Sequence, residues 1–294
     1  VELRARPPYD WPGLHRFFCQ RAIPGVEACA DGRCQRTIEV GGRAGTVTVG
    51  GDVERSILVV GIDVGGTGPS EVVTRRLRTM FDVDADPAAI GETLAADPAL
   101  APLVAARPGL RVPGCWDPFE LVVRAVLGQQ ITVAAARTLA GRLVARFGRE
   151  LDPDGGPFLF PSPTALAEAD VGAIGLPRRR AETLRAVARA VATGGLVLDP
   201  GADRDTSRAQ LLAIPGIGEW TADYVALRAL RDADAFPAGD LGLVRAAKRL
   251  GIAETPADLR TASQAWRPWR AYAALHLWQS LGDTTVSRDD RGGR

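Results

Sequence analysis

Near residue 85 the rhythm of apolar residues changes, and this change constrains the fold more than any other feature. Before it, the runs RTIEV (36–40), GTVTVG (45–50) and SILVVGI (56–62) are β-branched and bounded by glycine-rich turns. That is the pattern of antiparallel strands. WPGLHRFFCQRAI (11–23) and PSEVVTRRLRTMF (69–81) read as helices beside them, with Ser70 as an N-cap. GGTGPS (65–70) lacks the Gly-Lys-Ser/Thr ending of a phosphate loop and reads as a strand-to-helix turn. After residue 85 the spacing becomes helical almost to the end. DPFELVVRAVLGQQITVAAARTLAGRLVARFG (117–148) is apolar-periodic with a break near Gly128, and Leu184, Val187, Ala188 and Val191 share one helix face. DPDGGPFLFPSP (152–163) reads as a loop, and the tail 283–294 as disordered. The expected fold is an α+β domain over 1–85 with an antiparallel sheet, followed by an all-α domain over 86–282.

Composition removes several function classes. No apolar run approaches the ~18–20 residues of a membrane span. The formal net charge is +1, so bulk charge does not announce a nucleic-acid partner. Of 36 basic residues all but Lys248 are arginine, leaving one amine side chain for Schiff-base chemistry. Cys19, Cys29, Cys34 and Cys115 form no C-x-x-C pair, and His15 and His276 are the only histidines. A zinc site or iron–sulfur cluster is therefore not expected, and the thiols should pack as small apolar groups.

The segment SRAQLLAIPGIGEWTADYVALRAL (207–230) reads as helix, tight turn, helix. Gly216 and Gly218 allow a close turn, and Thr221 lies near the start of the second helix. Amides in such a turn can hold a phosphate without reading bases. From the turn alone, a plain helical hairpin fits equally. Ten residues after this segment comes Asp240, ahead of LGLVRAAKRL, where it can cap a helix and lie at the positive end of its dipole.

LLAIPGIGEWTADY (211–224) followed by DAFPAGD (234–240) resembles the signature of the helix-hairpin-helix DNA glycosylase superfamily. RPPYDW (6–11), RPGLRVPGCWDPFE (107–120), VLGQQITV (126–133) and WRPWRAYAALHLW (266–278) extend the resemblance, in order, to the AlkA-type DNA-3-methyladenine glycosylases. The resemblance implies an N-terminal sheet like half of the TATA-binding fold. It also implies two helical subdomains, 117–234 and 86–116 with 235–282, flanking a cleft. It makes Asp240 the catalytic residue, with Asp223 and Asp234 as solvated bystanders, and lines the base pocket with Trp220, Tyr224, Trp278 and Phe17. Gly216, Gly218 and Thr221 would hold DNA at the hairpin, Gln130 with Ile131 would fill the gap left by a flipped base, and Arg270 would touch the backbone or support the site.

One carboxylate suits one chemistry. A sugar hydrolase ordinarily needs two, one of them to protonate the leaving group. An alkylated purine such as 3-methyladenine or 7-methylguanine is already cationic and leaves without an acid. It must first be flipped into a pocket, where aromatic faces attract it. Trp220 occupies the position of the lysine in lyase relatives, so a monofunctional hydrolase is expected. The competing readings are a non-enzymatic DNA-binding hairpin module and a glycosylase for oxidised bases.

The expected partner is double-stranded DNA, bound by a monomer of the cytoplasm and nucleoid. No cofactor or metal is expected, with a monovalent cation at the hairpin as the one option. The chain begins at Val1, which leads to the expectation of a piece of a longer protein, in some relatives fused to an alkyl-acceptor domain.

Overall fold

A computed structural model describes residues 1–65, 70–152, 155–199 and 201–282. The turn expected at 66–69, the Ser70 side chain and the tail 283–294 lie outside the described residues.

The N-terminal part holds five antiparallel strands: β1 (Glu2–Arg4), β2 (Glu27–Ala30), β3 (Arg33–Val40), β4 (Arg43–Asp52) and β5 (Ile57–Val64), in the order β1-β5-β4-β3-β2. The three longest are those expected from β-branched runs. β1 and β2 carry no such signal because they have three and four residues and no β-branched side chains. β2 and β3 are joined by Asp31 and Gly32, both at positive φ, the two-residue turn whose twist suits a hairpin. Helices α1 (Trp11–Arg21) and α2 (Ser70–Met80) pack Trp11, Leu14, Phe18, Val73 and Leu77 with Ile38, Val47, Val49, Leu58 and Val60 of the sheet. Asp10 caps α1 through Gly13 N at 2.8 Å.

The remainder is helical. α3 (Pro87–Ala95), α4 (Ala101–Ala106), α5 (Pro118–Leu127) and α6 (Val133–Phe147) come first. The break near Gly128 is real: Gly128 ends α5 and Thr132 caps α6 through Ala135 N. The loop expected over 152–163 is partly a ladder, because β6 (Arg149–Glu150) pairs with β7 (Phe158–Leu159). Phe158 N donates to Gly25 O, and Thr37 Oγ1 donates to Phe158 O, so the N-terminal domain supplies partners that sequence periodicity cannot show. The chain continues through α7 (Pro163–Glu168), α8 (Arg178–Ala192), α9 (Arg204–Leu212), α10 (Glu219–Arg228), α11 (Leu241–Arg249), α12 (Pro256–Ala262) and α13 (Arg270–Gly282).

These helices build two apolar cores. One gathers Val122, Val126, Leu143, Leu184, Val187 and Leu211 from α5, α6, α8 and α9. The other gathers Leu94, Leu100, Leu243, Ala247, Trp266 and Leu277 from α3, α11, α13 and the turns before α4 and α13. α10 belongs to both: Ala222, Val225 and the nearby Ala229 face the first, Ala226, Leu227 and the nearby Leu230 the second. A third stripe, Trp220, Tyr224 and Arg228, is left for the space between the cores.

Candidate active site

That space is a cavity of about 930 Å³ lined by Phe17 and Arg21 of α1, Ile131 from the α5–α6 turn, Trp220 and Tyr224 of α10, Asp240, and Trp278 of α13. Trp220 and Tyr224, one helical turn apart, stack with centroids 5.4 Å apart and planes 10° apart. Trp278 meets Tyr224 edge-on at 6.4 Å and 69°.

Asp240 caps α11, accepting Leu243 N at Oδ1 (2.9 Å). The indole of Trp220 donates to its Oδ2 at 2.7 Å, and the indole of Trp278 donates to its Oδ1 at 2.8 Å. All three donors are neutral N–H groups. They hold the carboxylate in place without supplying a countercharge, and the two indoles turn it toward the aromatic walls of the cavity.

The other two acids were expected to be solvated, and the structure corrects this. Asp234 binds Arg270 bidentately (2.7 and 2.8 Å) and also meets Arg267 at 2.8 Å. Asp223 pairs with Arg208 at 3.1 Å. Their charges are matched by arginine, and Asp240 is the one of the three that is not. Arg270 is thereby mostly buried and spent on Asp234, which stands in the loop leading to Asp240. Of the two roles expected for it, this pairing fits support of that loop.

Phe17 does line the cavity, but its ring lies near two guanidinium groups, Arg21 at 3.9 Å and Arg228 at 4.8 Å from the centroid. Arg228 is buried, donating to Pro113 O at 2.8 Å, Gly114 O at 2.7 Å and Tyr224 Oη at 2.8 Å. Burial pushes the Tyr224 phenol up, yet Arg228 and Arg21 together outweigh it and hold it below its ordinary value. The cavity therefore has a cationic end at Phe17 and an anionic end at Asp240.

At the hairpin the two glycines differ. Gly216 has φ +93°, and an added Cβ would lie 2.1 Å from Thr183 Oγ1, so only glycine fits. Gly218 caps α10 with ordinary extended dihedrals, and an added Cβ would meet nothing within 4 Å. With no capping side chain there, the first amides of α10 have no intrahelical acceptor and stay open to an anion. Thr221, expected to face DNA, is buried and accepts Gln129 Nε2 at 3.1 Å. Gln129 Nε2 also reaches Gly216 O at 3.1 Å, and Thr183 Oγ1 donates to Pro215 O at 2.9 Å. Gln129 and Thr183 brace the turn, and nothing local in their sequence marks them for it. Gln130 is exposed in the left-handed region (φ +59°), and Ile131 beside it is exposed at the cavity wall. Leu241, next to Asp240, is 81% exposed.

Three of the cysteines, expected to pack as small apolar groups, gather with a histidine instead. His15, Cys19, Cys29 and Cys34 bring their donor atoms within 4.8 Å of one another, because α1 packs on the β2–β3 hairpin.

This fold and hairpin define a class, and comparison with known proteins agrees: residues 1–117 match the AlkA N-terminal domain, and residues 123–271 match the HhH-GPD superfamily base excision DNA repair protein family. The chain belongs to the HhH-GPD superfamily of base excision DNA repair proteins. It is 37% identical to DNA-3-methyladenine glycosylase 2 of Escherichia coli strain K12, over 95% of this chain and 97% of that one. It is 42% identical to the probable bifunctional transcriptional activator/DNA repair enzyme AlkA of Mycobacterium tuberculosis, covering 96% of this chain but 57% of that protein. The chain thus spans somewhat more than half the length of that relative. Among solved structures, the 3-methyladenine DNA-glycosylase from Archaeoglobus fulgidus superposes with a TM-score of 0.84 at 26% identity, covering 98% of this chain and 99% of that one.

Proposed function

We propose that this chain is a monofunctional DNA glycosylase that flips alkylated purines out of duplex DNA and hydrolyses their glycosidic bond. The observation that carries the reading is the Asp240 carboxylate, held by three neutral donors at the aromatic end of the cavity. As the bond to the base breaks, positive charge develops on the sugar, and a fixed carboxylate free of any cation is complementary to it. The stacked pair Trp220 and Tyr224, with Trp278 edge-on, supplies electron-rich faces for the cationic base.

Phosphates would bind the open amides at Gly218, where the absent side chain leaves clearance, with Gly216 setting the turn. The exposure of Gln130 and Ile131 in the turn between α5 and α6, with Ile131 at the cavity wall, supports their assignment as the wedge that would fill the vacated stack. The two apolar cores support the division of the helical part into 117–234 and 86–116 with 235–282, the cavity lying between. Lys248 is exposed and paired with Glu254 at 2.5 Å, away from this cavity, which supports hydrolysis over Schiff-base chemistry.

The test is release of free base from duplex DNA methylated with a simple alkylating agent, with borohydride trapping on the same substrate. We expect 3-methyladenine and 7-methylguanine to be released and no covalent adduct to form. Binding without release would leave only a DNA-binding module. An adduct lost in Lys248→Ala, or release confined to oxidised bases, would overturn the reading.

A further inference from the structure

The cluster of His15, Cys19, Cys29 and Cys34 plays no part in the proposed reaction, and its geometry is that of a metal site. Each pair is pre-set by its own local structure. His15 and Cys19 are four residues apart on α1, hence on one helix face. Cys29 and Cys34 are directly opposite each other in the β2–β3 ladder, one residue pair from the turn, hence on one face of the hairpin. Packing of α1 against β2 and β3 joins the pairs. A hydrogen bond from Trp11 Nε1 to Gly32 O (3.1 Å) fixes the helix to the tip of the hairpin beside them.

The distances match a tetrahedral ion. Cys29 Sγ and Cys34 Sγ are 3.2 Å apart, Cys19 Sγ and His15 Nε2 are 3.3 Å apart, and no two donors are separated by more than 4.8 Å. With zinc bonds of ~2.3 Å to sulfur and ~2.0–2.1 Å to nitrogen, the edges of a tetrahedron are roughly 3.5–3.8 Å long. The observed separations bracket those edges, from 3.2 Å up to no more than 4.8 Å. Cys29 and Cys34 are free thiols, their sulfurs well beyond the ~2.05 Å of a disulfide bond.

We propose that His15, Cys19, Cys29 and Cys34 form a tetrahedral Cys₃His zinc site. Three sulfurs and an imidazole select zinc among the available divalent ions, and four protein ligands leave no open position, so the site is structural. Binding displaces the three thiol protons. The ion would fasten α1 to β2, an edge strand paired on one side only. The far side of α1 carries Phe17 and Arg21 into the cavity, so the same ion would steady one wall of the candidate active site.

The spacing His-x₃-Cys-x₉-Cys-x₄-Cys contains no C-x-x-C, the pattern on whose absence the expectation of no metal rests. A cysteine pair straddling a two-residue hairpin turn does the same geometric work with four residues between the cysteines.

The experiment uses the whole chain, purified under reducing conditions from zinc-supplemented medium and dialysed against metal-free buffer. Elemental analysis should find one zinc per chain. Exchange for cobalt should produce the ligand-field and thiolate charge-transfer absorption of a tetrahedral sulfur-rich site. Cys29→Ser and Cys34→Ser should lose the metal, and Cys115→Ser should keep it. Metal content of the wild-type chain decides the matter even if a cysteine variant fails to fold. Zinc no higher than in the buffer blank, with no cobalt bands, overturns the proposal. So does a Cys29–Cys34 disulfide found by peptide mapping of chain from the same zinc-supplemented medium, purified without reductant and without chelator.

Discussion

Among the carboxylates at helix starts, Glu120 and Asp240 keep opposite company. Glu120, in the first turn of α5, is buried between Arg36 (2.7 Å) and Arg124 (2.9 Å), and both arginines also bind Glu27, at 3.2 and 3.0 Å. Burial pushes its carboxyl up, but the two guanidinium groups outweigh burial and hold it below the ordinary range. Two acids face two bases, and the quartet joins β2 and β3 to α5. Asp240, at the cap of α11, meets only neutral N–H donors. The difference separates two uses of a carboxylate. Where cations saturate it, its field is cancelled at short range and it serves as mortar between domains. Where dipoles alone hold it, its field remains available to a positive charge that arrives during a reaction.

The largest expected effect tests the structural half. Glu120→Gln leaves Arg36 and Arg124 buried with one carboxylate between them, so unfolding free energy from urea titration should fall by ~3–5 kcal/mol. A loss below about 1 kcal/mol would mean the quartet is no better than a surface ion pair. The functional half comes next. Asp240→Asn keeps the shape and much of the capping, and single-turnover excision of 3-methyladenine should drop ~100-fold or more, about 2.7 kcal/mol. Because the asparagine NH2 cannot accept from the Trp220 indole, stability should fall by ~1–3 kcal/mol, with the fold retained. Near-normal excision in this variant would end the contrast between the two sites.

Smaller effects sharpen it. Trp278→Phe keeps a ring but removes one donor to Asp240, a hydrogen bond to a charged group worth ~1.5–3 kcal/mol. We expect roughly a tenfold or greater loss of excision with unchanged affinity for abasic-site DNA. Gly218→Ala should cost ~1 kcal/mol of stability, as a poorer N-cap, and weaken binding to all duplexes alike, measured by fluorescence anisotropy. Gly216→Ala, strained against Thr183, should be the less stable of the two.

The last effect is a pH dependence. Because the folded Glu120 carboxyl lies below its ordinary value of 4.5, its stabilisation is complete above that pH and is lost as pH falls through the lower folded value. The stability gap between wild type and Glu120→Gln should therefore narrow below pH 4.5. Burial, with Arg107 nearby, pushes His276 from 6.5 down to about 4, so both proteins should lose stability together as pH falls from 6.5 toward 4. That shared loss cancels in the difference between them.

Much of this protein was determined by its sequence alone, because the features concerned are local. β-branched runs between glycine turns specify β3, β4 and β5, and 3.6-residue spacing, with Asp117, Thr132 and Pro177 at the starts, specifies α5, α6 and α8. The pair Trp220 and Tyr224 must share a face because they are one turn apart, and Asp240 is placed to cap the helix that begins at Leu241. His15 with Cys19, and Cys29 with Cys34 across Asp31–Gly32, were equally local, and a hairpin reading of the DG turn would have paired the latter.

Only the tertiary structure decided what meets across long separations. It set the Trp278 indole on a carboxylate 38 residues away, Gln129 on a turn 87 residues away, and α1 on the hairpin that completes the four-donor cluster. It also placed Arg270 on Asp234, 36 residues away. The reason is physical. Periodicity reports which face of an element is apolar, but the choice of partner for a polar group depends on which faces come together in packing, and a single chain carries no local record of that.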